Sequence, residues 1–426
     1  MPHWVKFGPM RFPPAKHLFM VMLGLSLCRA SAFAMDSTET LPRNVNSPAF
    51  RYGTITGVDS KYNSSGSVET LSDINTIQFN SDQLKKISTE IETLVLVLNQ
   101  TSGTHRLGDQ LNMGTLRVET EPDVKYFVPI YARGVTDDLS LGAALPVVFY
   151  KNKLSLVQSN SNADEVCDRL GPTSVDELKD ACRKLRATKM TNEVRKELAN
   201  KGYKPIQDRK ETLLGDLQLV SFWRFLSLDD ARHTMVLRNT LVLPTGKPND
   251  PDDLADLGAF GQTAVEAQVL YNYLLIPRLR LATKAVYKLT LPDQVDARVP
   301  KNEDDVLPAR ESKEKVRRNL GDTITLGAAA TWNFWGDFGV AGGYEYARKS
   351  SDKYSGTRGA RYDLLERDTG STAHRLRGGL SYDTIGLYRR TKRVPPMKVD
   401  FEVTNTVAGR NTDRSLTNEL SLTLFF

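Results

Sequence analysis

No apolar run in this sequence is long enough to cross a bilayer as a helix. The longest, Leu18 to Cys28, falls short of the roughly 18–20 residues such a span needs. With 25% charged residues and a mean hydropathy of -0.37, a helical membrane protein is excluded. Cysteine is scarce, at three residues, and histidine at five, so a Cys/His metal centre has few ligands to draw on. Proline and glycine (20 and 29 residues) are not in excess, and 40% hydrophobic content is ordinary, which excludes a disordered chain. Strong charge of one sign is also missing: 57 basic residues stand against 51 acidic ones, a net of +6.

Even that small excess is concentrated at the start. Residues 1–34 run from a basic stretch (Lys6, Arg11, Lys16) through an apolar core to Ala32-Phe33-Ala34. This is the order of a secretory signal peptide, with cleavage expected between Ala34 and Met35. A short buried helix is the alternative. Cleavage removes four basic residues (Lys6, Arg11, Lys16, Arg29) and no acid, leaving 53 against 51. A near-neutral mature chain gives no support to a nucleic-acid partner. Cys28 leaves too. Cys167 and Cys182 remain as an even pair in an oxidising setting, and a disulfide between them is expected, with two free buried thiols as the alternative. Neither a metal nor another cofactor is expected.

What the mature chain does contain is alternation. At its end, Leu420, Leu422, Leu424 and Phe426 share one face and Glu419, Ser421 and Thr423 the other. Period two marks a strand with one apolar and one polar side. A terminal strand of this kind, finishing on Phe, resembles the assembly signal of bacterial outer-membrane β-barrels. The same pattern recurs in segments of about ten residues, the length of a tilted membrane strand. They fall at 123–133, 139–150, 213–225, 232–243, 265–273, 279–289, 323–335, 338–348, 374–388, 397–403 and 416–426. Connections alternate between short (near 134–138, 226–231, 276–278, 336–337, 389–394) and long (near 151–211, 244–262, 292–321, 349–373). Outer-membrane barrels have short periplasmic turns and long external loops. With the C-terminus periplasmic, every short turn falls on the periplasmic side. Trp223, Trp332 and Trp335 lie within a few residues of those turns, as an interfacial aromatic girdle would.

Eleven strands are counted from residue 123 onward. Both termini in the periplasm require an even number, so one more comes from 52–59, 74–80 or 113–120. The expectation is an all-β, transmembrane antiparallel β-barrel of twelve strands, with fourteen if all three are used. Residues 35–112 form an N-terminal segment with a helix over 82–99, capped by Ser81: a plug, a rim cap or a surface helix. Residues 113–426 form the barrel, with a helical insert over 158–204. In the insert, Ser174 to Glu177 reads as a capping box and Gly202 closes a third helix. A 167–182 disulfide would pin its first two helices, worth about 3 kcal/mol by chain entropy. The expected partners are outer-membrane lipid and the barrel assembly machinery.

Three stretches carry a resemblance: Pro129 to Gly142 running on to Val148, Leu241-Val-Leu-Pro-Thr-Gly246 with the acidic loop that follows, and Pro395 through Asn411 to Phe426. They resemble the barrels grouped as "MetA-pathway of phenol degradation" proteins and, more distantly, the long-chain fatty-acid and toluene transporters. The resemblance implies a monomeric barrel passing small, mostly hydrophobic molecules. The plug signature of the fatty-acid transporters is reduced here to Ser47-Pro-Ala-Phe50, and the helical insert has no counterpart.

Strand parity assigns the lumen. Arg224, Arg238, Glu266, Arg280, Lys284, Lys288, Arg375, Arg377, Lys398, Asp400 and Glu402 should point inward, as should Asp216, Glu345 and Asp383. The reason is that a charge facing lipid at the midplane costs up to ~2–4 kcal/mol. The inward apolar residues are Phe127, Val148, Val220, Phe222, Val236 and Val286, a partial patch. Transport therefore competes with a polar pore of weak anion preference and with an adhesion barrel acting through its insert. An enzyme is not expected: only His374, near Asp368 and Ser371, could serve a hydrolase, and His233 is expected to face lipid.

Overall fold

The computed structural model describes residues 37–426, apart from 75, 83, 85–88, 102–105, 170–175, 188, 258–259, 304, 306 and 336. The expected signal peptide, its Ala34/Met35 cleavage point and the Ser174 capping position lie outside the described residues.

Twelve strands close into one antiparallel ring. The first two are β1 (Asn46–Thr56) and β2 (Asn112–Gly134). The third is bent into β3 (Leu139–Ala144) and β4 (Val147–Ser159), and the fourth into β5 (Arg209–Leu214) and β6 (Leu217–Leu228). The rest are β7 (His233–Leu243), β8 (Ala264–Ile276), β9 (Leu279–Thr290), β10 (Thr323–Trp335), β11 (Phe338–Lys349), β12 (Ser371–Asp383), β13 (Met397–Arg410) and β14 (Leu416–Leu424). Neighbours follow chain order, and β1 closes the ring by pairing with both β2 and β14.

The alternation explains the ring. Leu420, Trp223, Trp332, Leu376, Leu380 and Phe401 stand exposed on the outside. The residues between them turn inward. Only a closed barrel can present such an apolar exterior to lipid without leaving an edge of unpaired backbone groups. Among the described residues, no helix is long and apolar enough to cross a membrane.

The twelfth strand is β1, three to six residues upstream of the 52–59 candidate. Pro48 sits within it, and its neighbours alternate buried and exposed. The other two candidates do not cross the barrel. Thr76–Asn80 is a short strand alongside the start of β2, and 113–120 is that start itself. So β2, at 23 residues, is just over twice as long as the 123–133 segment, and β2, β4 and β5 project past the rim. Pairing switches at Pro146 and Gly215, where the chain bends: β3 stays with β6 in the wall and β4 continues with β5 above it. One strand boundary is also shorter than expected. The 374–388 strand ends at Asp383, and a helix, Ile385–Thr391, fills the turn. Thr384 makes that stop: its hydroxyl donates to the Pro395 carbonyl and accepts from the Met397 amide.

Because β1 belongs to the ring, residues 57–111 form the first long loop and not a segment preceding the barrel. That loop carries α1 (Thr89–Thr101). Ser81, expected to cap this helix, is buried, and its hydroxyl has no hydrogen-bond partner among the described residues. The insert between β4 and β5 carries α2 (Ala163–Asp168), α3 (Asp176–Ala187) and α4 (Met190–Asn200). Cys167 and Cys182 are disulfide-bonded, joining α2 to α3. At the end of α4, Gly202 takes φ 75° and the Tyr203 amide reaches back to the Leu198 carbonyl, a Schellman closure. Phe79, Leu84, Val95, Leu98, Leu111, Cys167, Cys182, Met190 and Leu198 share one hydrophobic core. The two loops thus make a single folded cap over the long-loop end.

Candidate functional site

Inside the ring the wall has two halves. On β2 to β8 it holds the main apolar cluster: Val124, Tyr126, Val128, Val148, Val220, Phe222, Val236 and Leu270 are buried together, interleaved on β6 to β8 with buried Gln218, Thr234, Arg238, Thr240, Gln268 and Asn272. On β9 to β14 and β1 it is ionic. Lys284 Nζ lies 2.9 Å from Glu345 Oε2, and Arg375 lies 2.8 Å from the other carboxylate oxygen. Arg377 pairs with Glu402 at 2.9 Å, Lys398 with Asp400 at 3.5 Å, and Arg51 with Glu419 at 3.0 Å. Strand pairing sets up the triad: Arg375 is the direct register partner of Glu345, and Gly327 stands in register between Glu345 and Lys284. Gly327 leaves room for the lysine stem: a Cβ there would come within 2.8 Å of Lys284 Cε. Tyr126 crosses from the apolar half, donating to Glu419 at 2.6 Å. Its ring lies over Gly53, where a Cβ would approach to 2.1 Å.

Both ends of the lumen are occupied. At the short-turn end, residues 37–41 fold inside. Thr38 hydrogen-bonds Thr234, Glu39 pairs with Arg280 at 3.3 Å, and the Leu41 amide donates to Ser140. At the long-loop end, the connection from β7 to β8 turns inward. Its Leu257 and Phe260 join the apolar wall. Asp216 fixes this loop, accepting hydrogen bonds from the amides of Gly246, Gly261 and Gln262. The loop's outer arc is tied to the cap. Arg298 bonds Asp252 and the carbonyls of Lys201, Gly202 and Pro308, and lies over the Tyr203 ring. Lys313 adds a second bond to Asp252 at 3.1 Å.

No protein-family model and no curated protein matches this chain. Solved structures do. An outer-membrane channel from Pseudomonas putida F1 aligns over 92% of this chain and the whole of its own, with TM-score 0.50 at 14% identity. A FadL homologue from Pseudomonas aeruginosa aligns over 99% of both chains (TM-score 0.34, 11% identity), and the Ralstonia pickettii toluene transporter over 91% and 90% (TM-score 0.32, 10% identity). The fold is that of an outer-membrane channel.

Within that fold, Arg238, Arg280, Lys284, Lys288, Arg375, Arg377, Lys398, Asp400, Glu402 and Glu266 all occupy inward register positions. Arg238 lies over the Phe222 ring, and Glu266 is paired in register with Lys288. Arg224 sits at the short-turn rim, bound to Asp138 at 2.7 Å. Asp216 faces inward but serves the loop backbone. Phe127 is a correction: it is paired in register with outward-facing Tyr52 and stacks on Phe50 outside the barrel. The parity of that strand is one residue out of step with the expectation, so Val124, Tyr126, Val128 and Ile130 line the interior. His233 faces outward, bonded to Tyr271. His374 also faces outward, 2.6 Å from the Tyr344 hydroxyl, and is grouped with tyrosines instead of with Asp368. Sequence reasoning missed Arg51, Tyr126, Thr38, Glu39, Leu257 and Phe260. The alternation around Arg51 could have found the first; the others lie in loops or depend on register.

Proposed function

We propose that this protein is an outer-membrane channel admitting small, largely hydrophobic molecules, with both termini in the periplasm and the cap at the cell surface. The observation that carries this reading is the apolar half-wall from Val124 to Leu270, continuous with Leu257 and Phe260 at the long-loop mouth. An apolar solute entering there can replace the contacts of those two loop side chains at little cost. The ionic half-wall favours solute passage less, because its carboxylates and cations are paired with each other and offer few unmet partners to an ion. The surrounding lipid, assembly through the terminal strand and a monomeric state belong to the same reading, as does the absence of enzymatic activity.

Liposome uptake tests it. Vesicles holding the purified barrel should take up an apolar aromatic probe faster than they take up a charged solute of similar size. A Leu257→Ala/Phe260→Ala variant should admit it faster still. Rapid uptake of the charged solute together with stepwise conductance in planar bilayers would replace this reading with a polar diffusion pore.

A further inference from the structure

Two arginines on the outer wall remain without a role in the lumen or the cap. Arg348, at the end of β11, and Arg410, at the end of β13, flank Thr372 of β12: Arg348 is paired with Thr372, and Thr372 with Arg410. Register pairs share a face. Arg348 shares its face with Tyr346 and Tyr344, whose rings meet outward-facing His374 at a tilt, with the Tyr344 hydroxyl hydrogen-bonded to it, so both guanidinium groups lie on the lipid side. Both are exposed. Among the described residues neither forms an ion pair. The nearest outward acid in the register, Asp322, is engaged by the Tyr287 hydroxyl at 2.6 Å.

Height places the pair. From Phe338, in the aromatic girdle at the short-turn end, to Arg348 is ten residues along one strand. At about 3.3 Å per residue and a tilt of roughly 40°, that is about 25 Å, the height of the apolar band of such barrels. Arg348 therefore stands where hydrocarbon gives way to headgroups. Arg410 lies two strand spacings away, about 10 Å. Two cations at that depth, above tyrosine and histidine rings and without a protein carboxylate, call for anionic headgroup oxygens.

We propose that Arg348 and Arg410 form a clamp for the phosphate of a phosphorylated lipid headgroup in the leaflet at the long-loop end. With the cap at the cell surface, as read above, that lipid is the phosphorylated glycolipid of the outer leaflet. Guanidinium groups can each grip a phosphate through paired N–H donors, and the Tyr344–His374–Tyr346 cluster supplies an amphipathic surface for the sugar and upper acyl chains.

The test uses the full barrel in detergent, with native mass spectrometry reading bound lipid. The wild-type protein should retain diphosphorylated lipid A over its dephosphorylated form, and inorganic phosphate should not displace it. The Arg348→Ala/Arg410→Ala variant should bind at least about tenfold more weakly, with Arg348→Lys/Arg410→Lys in between. All should migrate as folded barrels on unheated gels. Undiminished binding by the alanine variant, equal binding of the dephosphorylated lipid, or displacement by inorganic phosphate would each overturn the clamp. Tighter binding of phosphatidylglycerol than of lipid A would overturn the assignment to the outer-leaflet glycolipid. Failure of the channel reading is distinguishable, since it shows in solute uptake and leaves lipid retention unchanged.

Discussion

Replacing Glu345 offers the sharpest test of the interior. Its carboxylate is almost wholly buried between Lys284 and Arg375, and the lysine side chain is only 5% exposed. Unit charges 2.9 Å apart attract by roughly 6 kcal/mol at an effective dielectric near 20, and burial of both ions offsets much of this. The asymmetry lies in what remains. Glu345→Ala leaves Lys284 buried beside Gly327 with one carboxylate fewer, and such uncompensated charges cost about 3–5 kcal/mol. Removing both partners, as in Lys284→Met/Glu345→Leu, should be nearly neutral by the same argument. Equilibrium urea unfolding in lipid vesicles, followed by tryptophan fluorescence, reads the difference. A loss below about 1 kcal/mol for Glu345→Ala, or a double variant as unstable as the single one, would refute the view that this triad is a closed, desolvated network.

Other perturbations follow the same logic. Asp216→Ala strands three backbone amides, at about 1–3 kcal/mol for each one kept from water, and should expose residues 246–262 to protease. Gly53→Ala forces the Tyr126 ring off its site; overpacking of this kind costs about 1–3 kcal/mol and should lower the thermal midpoint. Removing Phe426 deletes the backbone pair with Asn46 that helps close the ring, and should slow assembly as read by heat-modifiable migration. Burial raises the Asp252 carboxyl, but its bonds to Lys313 and Arg298 outweigh this and hold it below the usual carboxylate range. The latch is therefore intact above about pH 4 and is lost as pH falls through that depressed value. Protease sensitivity of the loop should rise only in strong acid, and a rise already near pH 6 would contradict the latch.

The strand count and the short turns were legible because each depends on period-two alternation, which one strand displays by itself. Phe127 shows the limit. Its strand carries large apolar residues on both faces, so parity could not be read until β1 fixed the register through Tyr52. The helix at 385–391 was hidden for a similar reason: Leu387 and Tyr388 prolong the strand pattern, and only Thr384's bonds across the turn stop it.

The sequence by itself determined that this chain closes as a barrel, because alternation is a local property. Which segment supplied the first strand was decided only in three dimensions. Asn46–Thr56 carries Pro48, a poor strand former, near its start, and it becomes a strand by filling the gap between β2 and β14. Tertiary structure also decided what closes the lumen. Leu257, Phe260, Thr38 and Glu39 sit in segments without periodicity, and their roles come from the cavity that the distant strands build around them.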